Sequence, residues 1–247
     1  MKRTLFYIAI SLLPLSVFSQ INWVKDMTIA QALSIEKQKL IVLDFTASWC
    51  QPCKRMETEL WSSPEMKELS DNFIFLKIDI DIEPIIASNY GIKSIPYVII
   101  TNIVGDELWR MIGYRGSIDD YIDVFKQVPT DVAQLNTNLL PSLRNEETTE
   151  DLFELGKTYQ NLGRDQNNKT LKISFLDLSN KYFKKVKKKD TEQSQEAELR
   201  ILLNLVYFGK PEKALTKIKK YPENYFTDEL TELKNFTTEL CLTNSQN

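Results

Sequence analysis

The chain has 247 residues, 43% hydrophobic and 26% charged, with 7 Gly, 9 Pro, 3 Cys and no His. That length allows one or two domains and a core that needs no disulfide staples. The missing His excludes Ser-His-Asp and Cys-His nucleophile pairs, His-ligated zinc and a His general base, while 31 basic against 34 acidic residues give no electrostatic ground for nucleic-acid binding.

In chain order, Lys2 and Arg3 precede an apolar run from Leu5 to Val17, and Val17-Phe18-Ser19 offers a small residue before Gln20. This is the pattern of a signal peptide over residues 1–19. The run falls short of the roughly 20 residues a membrane span needs and contains Pro14; the alternative is an uncleaved anchor. No Cys follows the cleavage region, so no lipid anchor is expected. Loss of Lys2 and Arg3 takes the net charge from −3 to −5. No other stretch is long and apolar enough to cross a bilayer. The mature chain is therefore expected to be periplasmic or secreted, not membrane-spanning, in an oxidising compartment.

Residues 20–129 alternate β-rich and helical runs. Leu40 to Phe45 reads as a buried parallel strand, apolar except for Asp44. Cys50 to Leu60 reads as a helix, with a break at Ser63-Pro64 and a short turn after it. Phe73 to Asp79 is a second strand, and Glu83 to Asn89 a short helix ended by Gly91. Pro96 to Ile100 is a third strand, joined through Gly105-Asp106 to a hairpin partner, Glu107 to Ile112. Ser117 is positioned to cap a last helix, Ile118 to Gln127. The order implies an α/β module with a mixed central sheet and helices on both faces. From 130 to 247 no strand is expected. Apolar residues recur at helical spacing in Leu152–Leu162, Leu171–Val186, Ala197–Phe208 and Phe226–Leu240, separated at Gly163, at 165–169, at Asp190 and at Gly209-Lys210-Pro211. This reads as an all-α tail of about five helices.

The chemistry concentrates in Trp49-Cys50-Gln51-Pro52-Cys53-Lys54. Two cysteines three apart at a helix start lie one turn apart and can close a small disulfide. The helix dipole and its free N–H groups stabilise a thiolate on the first. Cys50 is then the attacking nucleophile and Cys53 the resolving thiol. A metal site would need two further ligands, and the chain offers only Cys241 and no His; a plain structural disulfide is the other alternative. Asp44, inside an apolar strand, is costly to ionise, so burial raises its pKa. A strand-end Asp bonded to backbone is its structural alternative. Cys241 reads as a small buried hydrophobe. No cofactor or metal is expected.

Leu43 through Lys54 resembles the active-site strand and helix of thioredoxins, and Gly91-Ile92-Lys93-Ser94-Ile95-Pro96 resembles their second signature. The redox pair, the Asp six residues before it, the Ile-Pro loop and Gly113 stand in family order over about residues 25–128. Lys54–Glu57 and Trp61–Met66 resemble more closely the carboxy-terminal thioredoxin domain of membrane thiol:disulfide interchange proteins. Gln51 departs from the common Gly between the cysteines, and Thr58 stands where many thioredoxins place a helix-kinking Pro. The resemblance implies a thioredoxin fold and a cis bond before Pro96. It implies that Asp44 exchanges a proton with Cys53, and that the backbone of Ile95 pairs with a substrate segment like an added strand. It implies that Pro96 packs beside the pair and keeps metals away, and that Lys77 modulates the buried acid; strand alternation equally makes Lys77 a solvated residue. Trp49 and Tyr97 would line the substrate surface, or simply pack.

In the tail, Leu155-Gly156, Tyr159 and Leu162-Gly163 match part of a tetratricopeptide repeat, as do Gly209 to Leu215, but the two glycine turns are 46 apart rather than 34. A peptide groove and a scaffold packed on the module are both open readings of this tetratricopeptide-like array. Six Lys within residues 181–189 read as a solvated helix face, with an anionic partner as the alternative. The expected function is an exported thiol–disulfide oxidoreductase reducing disulfide-containing envelope proteins, recharged by a membrane thiol:disulfide transporter. The alternative is a client-binding or chaperone-like module in which the tail carries the main function.

Overall fold

The structure, a computed structural model, describes residues 21–189, 193–222 and 225–244. The signal-peptide expectation at 1–19 and the separator at Asp190 lie outside the described residues. The elements are β1 (Trp23–Val24), α1 (Met27–Lys37), β2 (Leu40–Thr46), α2 (Gln51–Met56) running into a π-helical turn (Glu57–Trp61), α3 (Pro64–Leu69), β3 (Phe73–Asp79), α4 (Pro84–Asn89), β4 (Tyr97–Thr101), β5 (Glu107–Ile112) and α5 (Asp119–Gln127). Six further α-helices follow: α6 (Ala133–Leu143), α7 (Thr149–Asp165), α8 (Lys169–Lys187), α9 (Gln193–Tyr207), α10 (Pro211–Ile218) and α11 (Thr231–Asn244).

The five strands form one mixed sheet in the order β1-β3-β2-β4-β5. β3 runs parallel to β1 and β2, while β4 is antiparallel to β2 and β5. Alternation along the strands divides the side chains between two cores. Ile41, Leu43, Phe45, Leu76, Ile78, Tyr97 and Ile99 point to one face, where Ala30 of α1 and Ala87 of α4 close over them. Leu40, Val42, Phe73, Phe75, Val98 and Ile100 point to the other, beneath Met56, Leu60, Trp61, Tyr121 and Phe125. Edge-on aromatic contacts knit this second core: Trp23 to Trp61 at 5.4 Å and Phe73 to Phe125 at 5.1 Å between ring centroids. Asp44 belongs by alternation to this second face.

That second core continues past the module into Val132, Leu135, Leu139, Leu152, Phe153, Tyr159, Phe175, Tyr182 and Phe183, so the sheet and the first tail helices share one apolar interior. Polar bonds pin the junction. Asn102 Nδ2 donates to the Tyr159 hydroxyl at 2.7 Å, and the Tyr182 hydroxyl and Lys181 Nζ donate to Asp106 at 2.8 and 2.5 Å. Three lysines of the basic stretch are thus spoken for within the chain, since Lys185 pairs with Glu147 and Lys187 with Glu198.

The structure differs from the sequence reading at several places. α1 and α6 went unread: the buried positions of α1 are the small Ala30 and Ser34, and α6 buries only Leu135, Asn136 and Leu139 and contains Pro141, so neither shows a long apolar stripe. β1 is only two residues long. The cap of α5 is Ile118, with no side-chain bond, rather than Ser117. Gly163 does not break a helix: α7 runs through it to Asp165. Its role is contact, since a Cβ there would stand 2.7 Å from Leu176, and one at Gly156 would stand 2.5 Å from the Phe183 ring. The last helix starts at Thr231, after a short 3-10 turn, rather than at Phe226.

Candidate active site

β2 delivers the site. Its last turn passes Ala47 and reaches Cys50, which is the N-cap of α2 in an extended conformation. Pro52 occupies the first turn, where its lost N–H costs nothing. Cys50 Sγ accepts the Cys53 N–H at 3.2 Å, the placement that stabilises negative charge on the first sulfur. The two cysteines are joined by a disulfide, and both are almost wholly buried, packed with Ala47, Ile80 and Ile95. The Ile95-Pro96 bond is cis, as the family resemblance implied, and Pro96 is buried. The Gly113 N–H donates to the Pro96 carbonyl at 2.8 Å, and Gly113 has φ 76, a region glycine enters without strain. The structure therefore brings Cys50, Cys53, Ile95 and Pro96 into one neighbourhood.

Asp44 lies under the helix that carries them. It is register partner to Lys77 on β3 and to Val98 on β4, and only 3% exposed. Burial pushes its carboxyl from an ordinary 3.8 up to about 7, with Glu57 adding to the rise and Lys77 and a hydrogen bond from Trp61 opposing it. Lys77 is half-buried. It sits beside the acid, yet its Nζ pairs with Glu57 and lies 4.2 Å from the Trp23 ring centroid. Trp49 is 62% exposed, and its indole N–H donates to Asp81 at 2.8 Å. Next to Asp81, Ile82 and Ile85 are each 74% exposed and extend the apolar surface on that side.

Tyr97 does not line the surface. It is buried on the opposite sheet face against Phe45, and its hydroxyl accepts from Arg110 at 2.6 Å, because strand alternation turns the residue after Pro96 inward. Cys241 is buried among Leu202, Val206, Ala214 and Ile218 in a separate cluster of the tail, where burial pushes its thiol up. Glu57 and Trp61 were not among the residues singled out from sequence. No linear signal marks Glu57, whose pairing with Lys77 is made only by the fold.

Residues 23–123 match the family model described as thioredoxin. Among curated proteins the chain is similar to thioredoxin H2-1 of Oryza sativa subsp. japonica, 37% identical over 78 residues, which are 30% of this chain and 51% of that protein. It is also similar to thioredoxin H2 of Arabidopsis thaliana, 35% identical over 83 residues, 32% of this chain and 57% of that protein. The chain thus spans 51 and 57% of the length of these two relatives. Among solved structures, thioredoxin of Schistosoma mansoni matches at 32% identity over 45% of this chain and 98% of that one, with a TM-score of 0.35. The family match ends within α5, so helices α6 to α11 fall outside it.

Proposed function

We infer, from the thioredoxin domain that residues 23–123 form, that this protein is a thiol–disulfide oxidoreductase working through Cys50 and Cys53. The observation that carries the reading is the cysteine pair at the start of α2, beside a cis Pro96 and above the buried Asp44. In the reductive direction the Cys50 thiolate attacks one sulfur of a substrate disulfide. That S–S bond breaks, the leaving sulfur takes up a proton, and a mixed disulfide forms on Cys50. Asp44, as carboxylate, accepts the Cys53 proton; the Cys53 thiolate then attacks Cys50 Sγ and expels the second substrate sulfur, which is protonated in turn. Two electrons pass to the substrate, and the protein is left with the Cys50–Cys53 disulfide seen in the structure. A carboxyl with a pKa about 7 holds and releases a proton readily at neutral pH, which suits it to this exchange.

The substrate segment is placed along Ile95, with Trp49 flanking it. Ile95 contributes backbone pairing and Trp49 contributes apolar contact. The N-terminal basic, apolar and small-residue pattern supports export to a periplasm or beyond, with envelope proteins as substrates. A membrane thiol:disulfide transporter would return the electrons. The absence of a His between the cysteines favours reduction over strong oxidation, because one means of stabilising the thiolate is missing. The tail, a degenerate repeat-like array, is proposed as a scaffold, since α6 to α8 contribute to the same core as the sheet.

Reduction of insulin disulfides by the purified protein tests the reading. Turnover lost in Cys50→Ser is the expected outcome. Turnover unchanged by that substitution would overturn it and favour the client-binding alternative for the tail.

A further inference from the structure

Ile82, Ile85 and Trp49 are the three most exposed large apolar side chains among the described residues, at 74, 74 and 62%. Scattered exposed apolar residues are ordinary on a protein surface. These three share one neighbourhood, because the Trp49 indole is bonded to Asp81 and Ile82 follows Asp81 in the chain. The turn that carries Ile82 is held by its backbone. The Ile80 N–H donates to the Thr46 carbonyl at 3.0 Å, and the Ile82 and Glu83 N–H groups both donate to the Asp79 carbonyl, at 3.1 and 2.8 Å. α4 then buries Ala87 and packs Ile86 on the sheet, and its helical turn sets Ile85 outward. Two isoleucines thus stand in water on a fixed backbone. The shelf they form is continuous with the redox site, since Ile80 in the same turn packs on Cys50 and Cys53. Its charge has one sign. Asp79, Asp81 and Glu83 alternate with Ile80 and Ile82, and no Lys or Arg occurs between Lys77 and Lys93.

We propose that Ile82 and Ile85, with the Asp81 and Glu83 carboxylates beside them, form a specificity-determining shelf outside the redox site, and that it selects substrate disulfides flanked by apolar residues and Lys or Arg. This rests on the thiol–disulfide reading above and names the substrate class that reading leaves open. A segment with apolar side chains next to its cysteines, as an unfolded or misfolded chain presents, takes the two isoleucines out of water. A disulfide set in a polar folded surface offers the shelf nothing. The carboxylates add the sign, drawing in basic flanks and repelling acidic ones. The division of labour is then between backbone and side chain. Ile95 pairs with substrate backbone and so accepts many sequences, while the shelf reads the flanking side chains. A second copy of the chain is the poorer occupant, because a two-fold contact sets the acids of one shelf against those of the other.

The test compares synthetic disulfide peptides of one length whose cysteines are flanked by Leu and Lys, by Leu and Glu, or by Ser and Gly. Each is scored by the second-order rate at which the pre-reduced full chain reduces it. The Leu–Lys peptide is expected to react about tenfold faster than the Ser–Gly peptide, with the Leu–Glu peptide between them. In the double variant Ile82→Ser/Ile85→Ser that preference falls to about twofold, and Glu83→Gln narrows the gap between Lys and Glu flanks. Equal rates for the Leu–Lys and Ser–Gly peptides, or a preference the double variant keeps in full, would overturn the proposal. So would a dimer of the full chain in sedimentation that the double variant dissociates, which assigns the shelf to a second copy. Binding is read separately from exchange, by the fluorescence anisotropy of a labelled Leu–Lys peptide with Ser in place of its cysteines. Binding that the double variant weakens, in a protein that reduces none of the peptides, sinks the exchange reading and leaves the shelf standing. Reduction of all the peptides at one rate sinks the shelf alone.

Discussion

The chain buries polar side chains in two regions and treats them in opposite ways. In the tail, Gln160, Ser179 and Asn204 lie out of water with their bonds made. Gln160 Nε2 donates to Asn204 Oδ1 at 2.7 Å and to the Arg200 carbonyl at 2.9 Å. Asn204 Nδ2 donates to Ser179 Oγ and Asn180 Oδ1, both at 2.9 Å, and Ser179 Oγ donates to the Gly156 carbonyl at 2.8 Å. In the sheet, Asp44 is equally dry, and the Lys77 ammonium on the same face, itself paired with Glu57, offsets only part of the effect of burial on its carboxyl. A satisfied network fixes how helices pack. A buried carboxyl that is under-compensated has an elevated pKa and is available for proton transfer. At these two sites architecture and chemistry are separated by how buried polarity is answered.

The largest effect that sharpens this contrast is on activity. Cys50→Ser is expected to abolish insulin reduction, whereas Asn204→Leu in the tail leaves the turnover of the folded protein intact; loss of turnover in a folded Asn204→Leu protein would break the division.

Next comes the pH dependence of stability. Asp44 has a folded pKa raised from 3.8 to about 7, so its contribution to stability is fully present below about pH 3.8 and is lost as pH rises through about 7. At about 1.4 kcal/mol per pKa unit, the loss comes to about 4 kcal/mol. Denaturant unfolding of Asp44→Asn should therefore show a variant that gains on the parent by about that amount between acid and mildly alkaline pH. A stability difference flat with pH would contradict the elevated acid. The tail offers the control. Asn204→Leu leaves Gln160 and Ser179 short of partners and is expected to cost about 1–3 kcal/mol, with no dependence on pH over the same range.

The smallest expected effect lies at the junction of the two regions. Tyr159→Phe removes the hydroxyl that accepts from Asn102. It should lower the unfolding free energy by about 1 kcal/mol in the same denaturant assay, without altering insulin reduction.

Much of the module was legible in sequence because its signals are strong and local. β3 and β5 fall on the read boundaries, since β-rich runs ended by turn residues mark them plainly. The cysteine pair and the Ile95-Pro96 loop were legible as motifs. The ion pair of Glu57 with Lys77 was not, because only the fold brings these two residues together. The tail was read less well for a different reason. Gly156 and Gly163 look like turn or repeat glycines in sequence, yet they serve close approach of α7 to Phe183 and Leu176 on α8. α1 and α6 bury small and polar residues among few apolar ones, and the burial of Ser34 and Asn136 depends on partners distant in the chain, such as the bond from Asn136 to the Ser34 carbonyl.

Exchange is proposed to proceed through Cys50 and to be resolved by Cys53. Trapping tests it most directly: in Cys53→Ser, incubated with a disulfide-bonded protein and mapped by mass spectrometry, a persistent mixed disulfide should form on Cys50 and vanish in the additional variant Cys50→Ser. Adducts carried by Cys241, or none at all on Cys50, would contradict it.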